Sequence, residues 1–230
     1  IYCDFSGYTD IAIGIALLLG FKFPQNFNKP YTATSLRDFW SRWHMTLSRW
    51  LRDYIYIPLG GNQRSFLGKR FIWLNLVITF LIGGLWHGSN LTFVVWGLYH
   101  GLLLAIERPI RNFVNKNDIK VPKLIKQIIT FHLVTFGWIL FNSETFSSAK
   151  VLLGRVFSSF SFADTKLTLT IVILIATGIG FQFIKDSISQ NFLELLSTKP
   201  VLVQAIFFGF CLFLLSTFSD NVSAFLYGFF

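Results

Sequence analysis

Apolar runs separated by short polar segments make up most of this 230-residue chain. The runs occupy residues 11–23, 71–85, 91–106, 128–141, 167–184 and 201–218. A helix needs about 20 apolar residues to cross a bilayer, so the longer runs are typical of membrane spans. The short first run is predicted to be tilted, re-entrant or the end of a longer span. The pattern predicts an all-α, polytopic transmembrane helical bundle.

Two further segments have apolar residues at helical spacing with polar residues between them, which is typical of interfacial amphipathic helices. In residues 35–56, Ser35 is a candidate N-cap and Asp38 follows at the third helical position. Residues 143–160 have a similar pattern, with Ser143 as a candidate cap. The first segment interleaves its aromatic residues with Arg37, Arg42, Arg49 and Arg52.

The composition supports a membrane protein. Hydrophobic residues make up 53% of the chain, including 28 Phe, and charged residues only 13%, about half the usual share. Because polar residues must cover the outside of a soluble domain, this balance excludes a soluble enzyme. It also excludes a disordered chain and a typical nucleic-acid-binding protein.

The net charge of +9 is concentrated in two blocks. Residues 22–70 carry nine Lys or Arg against two Asp, and residues 108–126 carry six against one Asp. Basic segments beside membrane spans are typically cytoplasmic. We therefore attribute the positive charge to membrane topology, and the last three spans would leave the C-terminus outside. The block 108–126 is predicted to be a loop.

Cys3 and Cys211 lie far apart and predict neither a disulfide framework nor a thiolate metal site. The histidines also lack the close spacing of zinc ligands, so no metal site is expected. The chain begins with Ile1 and no start signal, and we expect it to be the C-terminal part of a longer protein.

The candidates for chemistry are the four histidines, His44, His87, His100 and His132. An ionisable group at membrane depth is costly and is therefore a functional candidate. Desolvation keeps an imidazole neutral and able to accept a proton, as a general base must. His87 is the strongest candidate, because Gly84 and Gly88 beside it would let a substrate or a backbone approach closely. A purely hydrogen-bonding role between helices is equally open for it.

The other histidines carry weaker indications. For His44, a hydrogen-bonding role at the interface is favoured over chemistry by its position alone. For His100, which lies inside an apolar run, packing and function are equally open, and His132 is assigned to structure because no polar cluster accompanies it. Asp4 and Asp10 bound a polar cluster that we expect to be a loop, although binding of substrate hydroxyls is an alternative.

A set of short motifs follows in a fixed order through the first 108 residues. They are DFSGYTD (4–10), PQNFN (24–28), PY (30–31), FWSRWH (39–44), WLRDY (50–54), YIPLGG (56–61), GLWHG (84–88) and WGLYHG (96–101). In this order and spacing they resemble the membrane-bound O-acyltransferase family, in particular the bacterial branch typified by the membrane subunit of alginate O-acetylation. Beyond residue 108 the chain agrees with it only in hydropathy and in the aromatic ending 225–230.

The resemblance implies one membrane-embedded domain over residues 1–230, with the motifs in 1–108 and C-terminal membrane helices in 109–230. It implies a tunnel to the catalytic centre, through which an acyl group arrives as a cytoplasmic thioester and leaves on a hydroxyl acceptor. The family's catalytic histidine, in the Trp-His-Gly element, corresponds to His87. The histidine of the Arg-Trp-His element, also implicated near the tunnel, corresponds to His44.

We therefore expect an O-acetyltransferase of the cell membrane that acts on a cell-envelope polysaccharide. His87 would deprotonate the acceptor hydroxyl, directly or through a relay, or would help to form or discharge an acyl intermediate on a partner protein. The developing oxyanion needs hydrogen-bond donors. The Trp86 indole N–H, Asn90 and backbone amides near Gly88 are candidates.

No bound cofactor is expected, because the donor is acetyl-CoA or an acyl-carrier thioester. Arg49 and Arg52 are candidates for binding its phosphates, with anchoring to lipid headgroups as the alternative, and Asp53 is a further candidate for substrate binding. The expected partners are the donor on the cytoplasmic side, a polysaccharide or a periplasmic or extracellular acyltransferase, and the lipid bilayer, but no nucleic acid.

Two other functions are open. The membrane protein that transfers D-alanine to teichoic acid shares the Arg-Trp-His and Trp-His-Gly elements, although the YIPLGG stretch (56–61) favours the alginate-type branch. A transporter or scaffold subunit, in which the intramembrane histidines serve passage or assembly, belongs to a different class.

Overall fold

A computed structural model describes residues 1–62, 71–158 and 169–217, and every regular element in these ranges is helical. The α-helices are α1 (Tyr2–Leu18), α2 (Leu36–Trp40), α3 (Met45–Leu51), α4 (Ile72–His87), α5 (Leu91–Lys116), α6 (Lys123–Phe141), α7 (Phe146–Ser158), α8 (Leu169–Gly180), α9 (Asp186–Ser197) and α10 (Val201–Thr217). Three shorter helical segments are the 3₁₀ turns Pro30–Thr32 and Phe181–Phe183 and the π-helix Arg52–Tyr56. The prediction of an all-α fold is confirmed.

Several of these helices can reside in a bilayer. Within the described ranges, α5 and α6 are long and apolar enough to cross it. Residues Ile171–Phe183 and Asp186–Ser197 would form a third span if the two helices, bent by 97°, are counted together. Helix α4 and residues Val201–Leu214 are apolar but shorter. By length and composition, the fold is that of a membrane protein.

Helices α4 and α5 pack backbone against backbone. A Cβ atom on Gly84 would lie 2.3 Å from the carbonyl oxygen of Phe93, and a Cβ on Gly97 would lie 2.2 Å from that of Phe80. Small residues permit this approach, which is a common means of association between membrane helices. The close approach predicted at Gly84 is therefore between two helix backbones.

An aromatic core joins the segment around α2 to α5 and α6. Phe39 and Trp43 are each only 1% exposed, and their rings stack at 5.5 Å. Trp43 also contacts Trp138 of α6 at 4.7 Å, and Trp40 contacts Trp96 of α5 at 5.7 Å. Burial of such large rings anchors the amphipathic segment on the bundle.

The single helix predicted over residues 35–56 is wrong, although its N-cap is confirmed. The Ser35 hydroxyl accepts a hydrogen bond from the Asp38 amide at 3.1 Å, but α2 ends at Trp40 and α3 begins only at Met45. The break is held by a distant segment, because the Asn26 carbonyl accepts from the Met45 amide at 2.9 Å. The Asn26 side chain also accepts from the Thr46 amide at 3.1 Å.

Three loop and cap predictions are also wrong. Residues 4–10 belong to α1, and residues 108–116 continue α5 with Pro109 inside the helix. Ser143 does not cap α7, since its hydroxyl donates to the Ile139 carbonyl at 2.6 Å. The reciprocal cap is made by Thr145 and Ser148, each of whose side chains accepts from the other's amide.

Two other parts of the sequence prediction differ from the structure or lie beyond it. Helix α9 was not expected, because its polar N-terminal half hides the amphipathic pattern. The predicted run 167–184 corresponds to α8 and the turn Phe181–Phe183 from residue 169 onward. The aromatic ending 225–230 and residues 63–70 of the first basic block lie outside the described residues.

Replacing Gly97 with Ala is expected to destabilise the protein by about 1–3 kcal/mol, because the added methyl group forces α4 and α5 apart. Thermal unfolding of the purified full-length protein in detergent measures the effect. Gly14→Ala is the matched control, since a Cβ at Gly14 in α1 would meet nothing within 4 Å. Equal melting temperatures for Gly97→Ala and wild type would contradict the tight contact.

Candidate active site

His87 lies at the C-terminal end of α4, inside a cage of aromatic rings. The residue is only 3% exposed. The imidazole contacts Trp86 and Phe141 with ring centroids 4.9 Å apart, and Trp96 at 5.3 Å. Helix α4 can end here because Gly88 adopts a φ of 150°, which favours glycine. An apolar surrounding of this kind disfavours the charged imidazolium, so it keeps a histidine neutral.

His44 occupies the break between α2 and α3 in a left-handed backbone conformation, with φ of 42° and ψ of 54°. Few non-glycine residues adopt it, and it turns the chain sharply between the two helices. The residue is 7% exposed, and its Nδ1 has no hydrogen-bond partner within the described ranges. Burial lowers the pKa of His44 to about 4, so its ring is neutral at pH 7.

The Trp86 indole connects the two histidines. Its ring lies 5.9 Å from His44 and 4.9 Å from His87, measured between centroids. The two histidines come from motifs 43 positions apart, and the fold brings both to one side chain. Trp86 itself is 53% exposed. A molecule that binds on this indole therefore lies next to both imidazoles.

Asn90, a candidate oxyanion donor, has two local structural bonds. Its Oδ1 accepts from the Thr92 amide at 3.3 Å and so caps α5. Its Nδ2 donates to the Glu144 carbonyl at 2.5 Å, which fixes the start of α5 against the connection between α6 and α7. These two bonds give Asn90 a structural role. Its role as an oxyanion donor stays a prediction.

A cavity of about 590 Å³ opens between α2, α3, the π-helix, α4 and α5. Its charged lining consists of one carboxylate, Glu107, and five arginines, Arg37, Arg49, Arg52, Arg108 and Arg111. We call it the arginine-lined cavity. Both arginines predicted to bind phosphate thus lie in a cavity of suitable charge.

Asp53 is not among the lining residues of the arginine-lined cavity. Its carboxylate accepts two bonds from the neighbouring Arg52 guanidinium, at 2.7 and 3.1 Å. Hydrogen bonding to Arg52 lowers the pKa of Asp53, so the pair is ionised at neutral pH. The geometry gives Asp53 a place beside a cavity arginine, and its role in substrate binding stays a prediction.

Sequence analysis missed the contribution of α5 to the cavity. Glu107 accepts from the Leu36 amide at 2.6 Å and from Arg111 at 3.1 Å, so it caps α2 and orients a cavity arginine. Arg108 donates to Asn62 at 2.8 Å. The four-residue spacing of Glu107 and Arg111 is the signal of a helical ion pair, but the segment had been assigned to a loop.

The arginine-lined cavity does not reach either candidate catalytic histidine, since neither His44 nor His87 is among its lining residues. Its inner wall includes Trp40 and Phe80. Beyond Trp40, closely packed rings continue to His87. Successive centroids are 5.2 Å apart from Trp40 to His100, 5.1 Å from His100 to Trp96, and 5.3 Å from Trp96 to His87. We call these four rings the aromatic column.

The remaining histidine, His132, fits its predicted structural role. It is exposed on α6, and its Nδ1 lies 2.8 Å from the Ile128 carbonyl one turn earlier in the same helix. Its ring contacts the neighbouring Phe131, with centroids 5.7 Å apart. It therefore lies apart from the aromatic column and serves as a control residue.

The part of the chain that contains the candidate site is similar to known proteins. Residues 1–149 match the membrane-bound O-acyltransferase family. A peptidoglycan O-acetyltransferase of Helicobacter pylori is 47% identical over 157 residues, which cover 68% of this chain and 29% of that protein. A Pseudomonas aeruginosa protein named "Probable alginate O-acetylase" is 48% identical over 158 residues, or 69% of this chain and 29% of that protein.

A teichoic acid D-alanyltransferase of Bacillus subtilis is more distant, at 34% identity over 155 residues that cover 64% of this chain and 39% of that protein. The chain thus spans about a third of the length of these relatives. The matched residues include both histidine motifs, the arginine-lined cavity and the aromatic column. This chain belongs to the membrane-bound O-acyltransferase family.

Proposed function

We propose that the chain is the catalytic part of an O-acetyltransferase, which transfers an acetyl group from a cytoplasmic thioester to hydroxyls of a cell-envelope or extracellular polysaccharide. The observation that carries this proposal is the position of His44 and His87 on the half-exposed Trp86 indole. The relatives named for O-acetylation are 47 and 48% identical, and the D-alanyltransferase 34%. This difference favours acetyl over D-alanyl transfer.

In the proposed reaction, the neutral His87 ring takes the proton of the acceptor hydroxyl. The oxygen then attacks the thioester carbonyl carbon, the carbon–sulfur bond breaks, and the leaving thiolate takes the proton from the imidazolium. The Trp86 indole N–H and backbone amides near Gly88 are the proposed donors to the oxyanion. His44, which also contacts Trp86, is the proposed second member of a proton relay.

The arginine-lined cavity is the proposed entrance for the donor. Five arginines against one carboxylate favour phosphate groups, which arginine binds through paired, charge-assisted hydrogen bonds. Coenzyme A and the phosphopantetheine of a carrier protein both supply such groups. No bound cofactor is needed, because the thioester is itself a substrate.

We place the protein in the inner or plasma membrane as a multi-pass protein, with both basic blocks on the cytoplasmic side. The cavity arginines come from these two blocks, so the donor enters from the cytoplasm. The acceptor then reaches Trp86 from the other side, as a polysaccharide or through a periplasmic or extracellular acyltransferase partner. The lipid bilayer surrounds the apolar helices.

Replacing His87 with Ala is expected to lower the rate of acyl transfer by about 10²–10⁴-fold, the usual contribution of a general base. The assay follows a labelled acetyl group from the thioester to envelope polysaccharide in membranes that contain the full-length protein and its natural partners. His132→Ala is the matched control, because this exposed histidine bonds within its own helix. Unaltered transfer by a fully expressed His87→Ala protein would rule out His87 as the base and favour a scaffold or transporter function.

The mass added to purified envelope polysaccharide separates the two acyl groups. An acetyl ester is expected on the glycan of cells that express the full-length protein. The glycan of cells that express His87→Ala should carry no such ester. A D-alanyl ester in the same place would support the alternative function and contradict the acetyl assignment.

Replacing Arg49 with Ala is expected to raise the KM of the donor by roughly 10–100-fold with little change in kcat, because a charge-assisted hydrogen bond to phosphate is lost. The KM should also rise with salt concentration in the wild type. Arg155→Ala on α7 is the control, since Arg155 does not line the cavity. An unchanged donor KM in Arg49→Ala would instead favour anchoring to lipid headgroups.

A further inference from the structure

His100 on α5 is buried in a way that packing alone does not explain. It is 0% exposed, and neither ring nitrogen has a hydrogen-bond partner among the residues that the structure describes. A neutral imidazole always carries one N–H donor and one acceptor nitrogen. Burying both without partners costs free energy, and a phenylalanine of similar shape would avoid that cost. The histidine therefore points to a polar function.

The fold gives His100 a defined position. A Cβ on Gly137 of α6 would lie only 2.6 Å from His100 Nε2, so α6 has a glycine where the ring needs room. On its other sides the ring contacts Trp40 at 5.2 Å and Phe80 at 6.3 Å, between centroids. Both of these residues line the arginine-lined cavity. His100 thus lies directly behind the inner wall of that cavity.

A single ring, that of Trp96, separates His100 from the candidate catalytic His87. Trp96 contacts His100 at 5.1 Å and His87 at 5.3 Å. Within the aromatic column, the Trp40 and Trp96 indoles each offer one N–H donor. The His100 ring, between the cavity wall and Trp96, offers both a donor and an acceptor. In the proposed function, a donor whose phosphates stay at the arginines brings its thioester from the cavity to His87, alongside this column.

We propose that His100 is a positioning residue for the acyl donor, whose ring hydrogen-bonds to the amide groups of the pantetheine arm. This inference rests on the proposed function. Pantetheine, common to coenzyme A and carrier proteins, has two amides, each with an N–H and a carbonyl oxygen. One donor and one acceptor on the imidazole match them. Entry of the arm requires the Trp40 and Phe80 side chains to move apart, after which the amides satisfy nitrogens that are otherwise unpartnered.

The test compares His100→Phe, which keeps the ring but removes both nitrogens, with His100→Gln, which keeps a donor and an acceptor. Tyr99→Phe is the matched control, because the neighbouring Tyr99 hydroxyl donates to the Leu133 carbonyl at 2.9 Å and lies outside the aromatic column. The full-length protein is assayed in membranes for the kcat and KM of acetyl-CoA. Inhibition of transfer by free pantetheine, which has both amides but no phosphate, is measured in parallel.

We expect His100→Phe to raise the KM of acetyl-CoA and the inhibition constant of pantetheine by about 10–100-fold each, the effect of two lost hydrogen bonds. Its melting temperature should stay equal to that of the wild type or exceed it, and kcat should change little. His100→Gln should recover most of the affinity. Arg49→Ala should leave pantetheine inhibition unchanged, since pantetheine carries no phosphate.

Three results would overturn the inference: a wild type that pantetheine does not inhibit, a His100→Phe protein with unchanged constants, or losses in His100→Phe that Tyr99→Phe reproduces. If His100→Phe fails to fold, the same constants are read from His100→Gln and from His100→Leu. Failure of the proposed function is distinguishable, because then the wild-type protein itself transfers no acyl group from any thioester.

Discussion

The direct contact between the backbones of α4 and α5 is the constraint on which the site depends. Gly84 and Gly97 bring the two helices so close that any side chain at either position would overlap the opposite backbone. This approach sets His87, at the end of α4, against Trp96 of α5. It also aligns Phe80 with His100, so that the cavity wall and the candidate catalytic histidine share one packed layer. In a bilayer, where the hydrophobic effect does not draw helices together, such close packing is the main source of their association.

Hydrophobic periodicity was sufficient for the long helices and insufficient for the short ones. The runs that became α4, α5 and α6 are apolar over most of their length, so no alternative structure competes with a helix. In residues 35–56 the apolar positions continue at helical spacing through the break, and the break depends on Asn26, which is distant in sequence. Local pattern carries no information about such a partner.

The site shows the same division. The motifs singled out His87 and His44, but their meeting at Trp86 depends on how two segments pack. Two arginines of the cavity, Arg49 and Arg52, were anticipated as phosphate ligands, whereas Arg108 and Arg111 belong to the basic block 108–126, which was assigned to a loop. Helix α5 instead continues past Pro109 to Lys116. His100 was left open between packing and function, since only the structure shows that its nitrogens lack partners among the described residues.

The distribution of charge follows from where water can reach. Guanidinium groups stay ionised and must remain hydrated or paired, so they line an open cavity beside Glu107, Asn62 and Asp53. Imidazoles can shed their charge, so His44, His87 and His100 can occupy the packed interior. The proposed donor fits this division if it is charged at one end and uncharged at the other, with an arm that spans the three ring contacts from Trp40 to His87. A thioester with phosphate groups at the far end of a long arm has this form. A short acyl phosphate would have to bring its charge to His87 and would give up its contacts with the arginines.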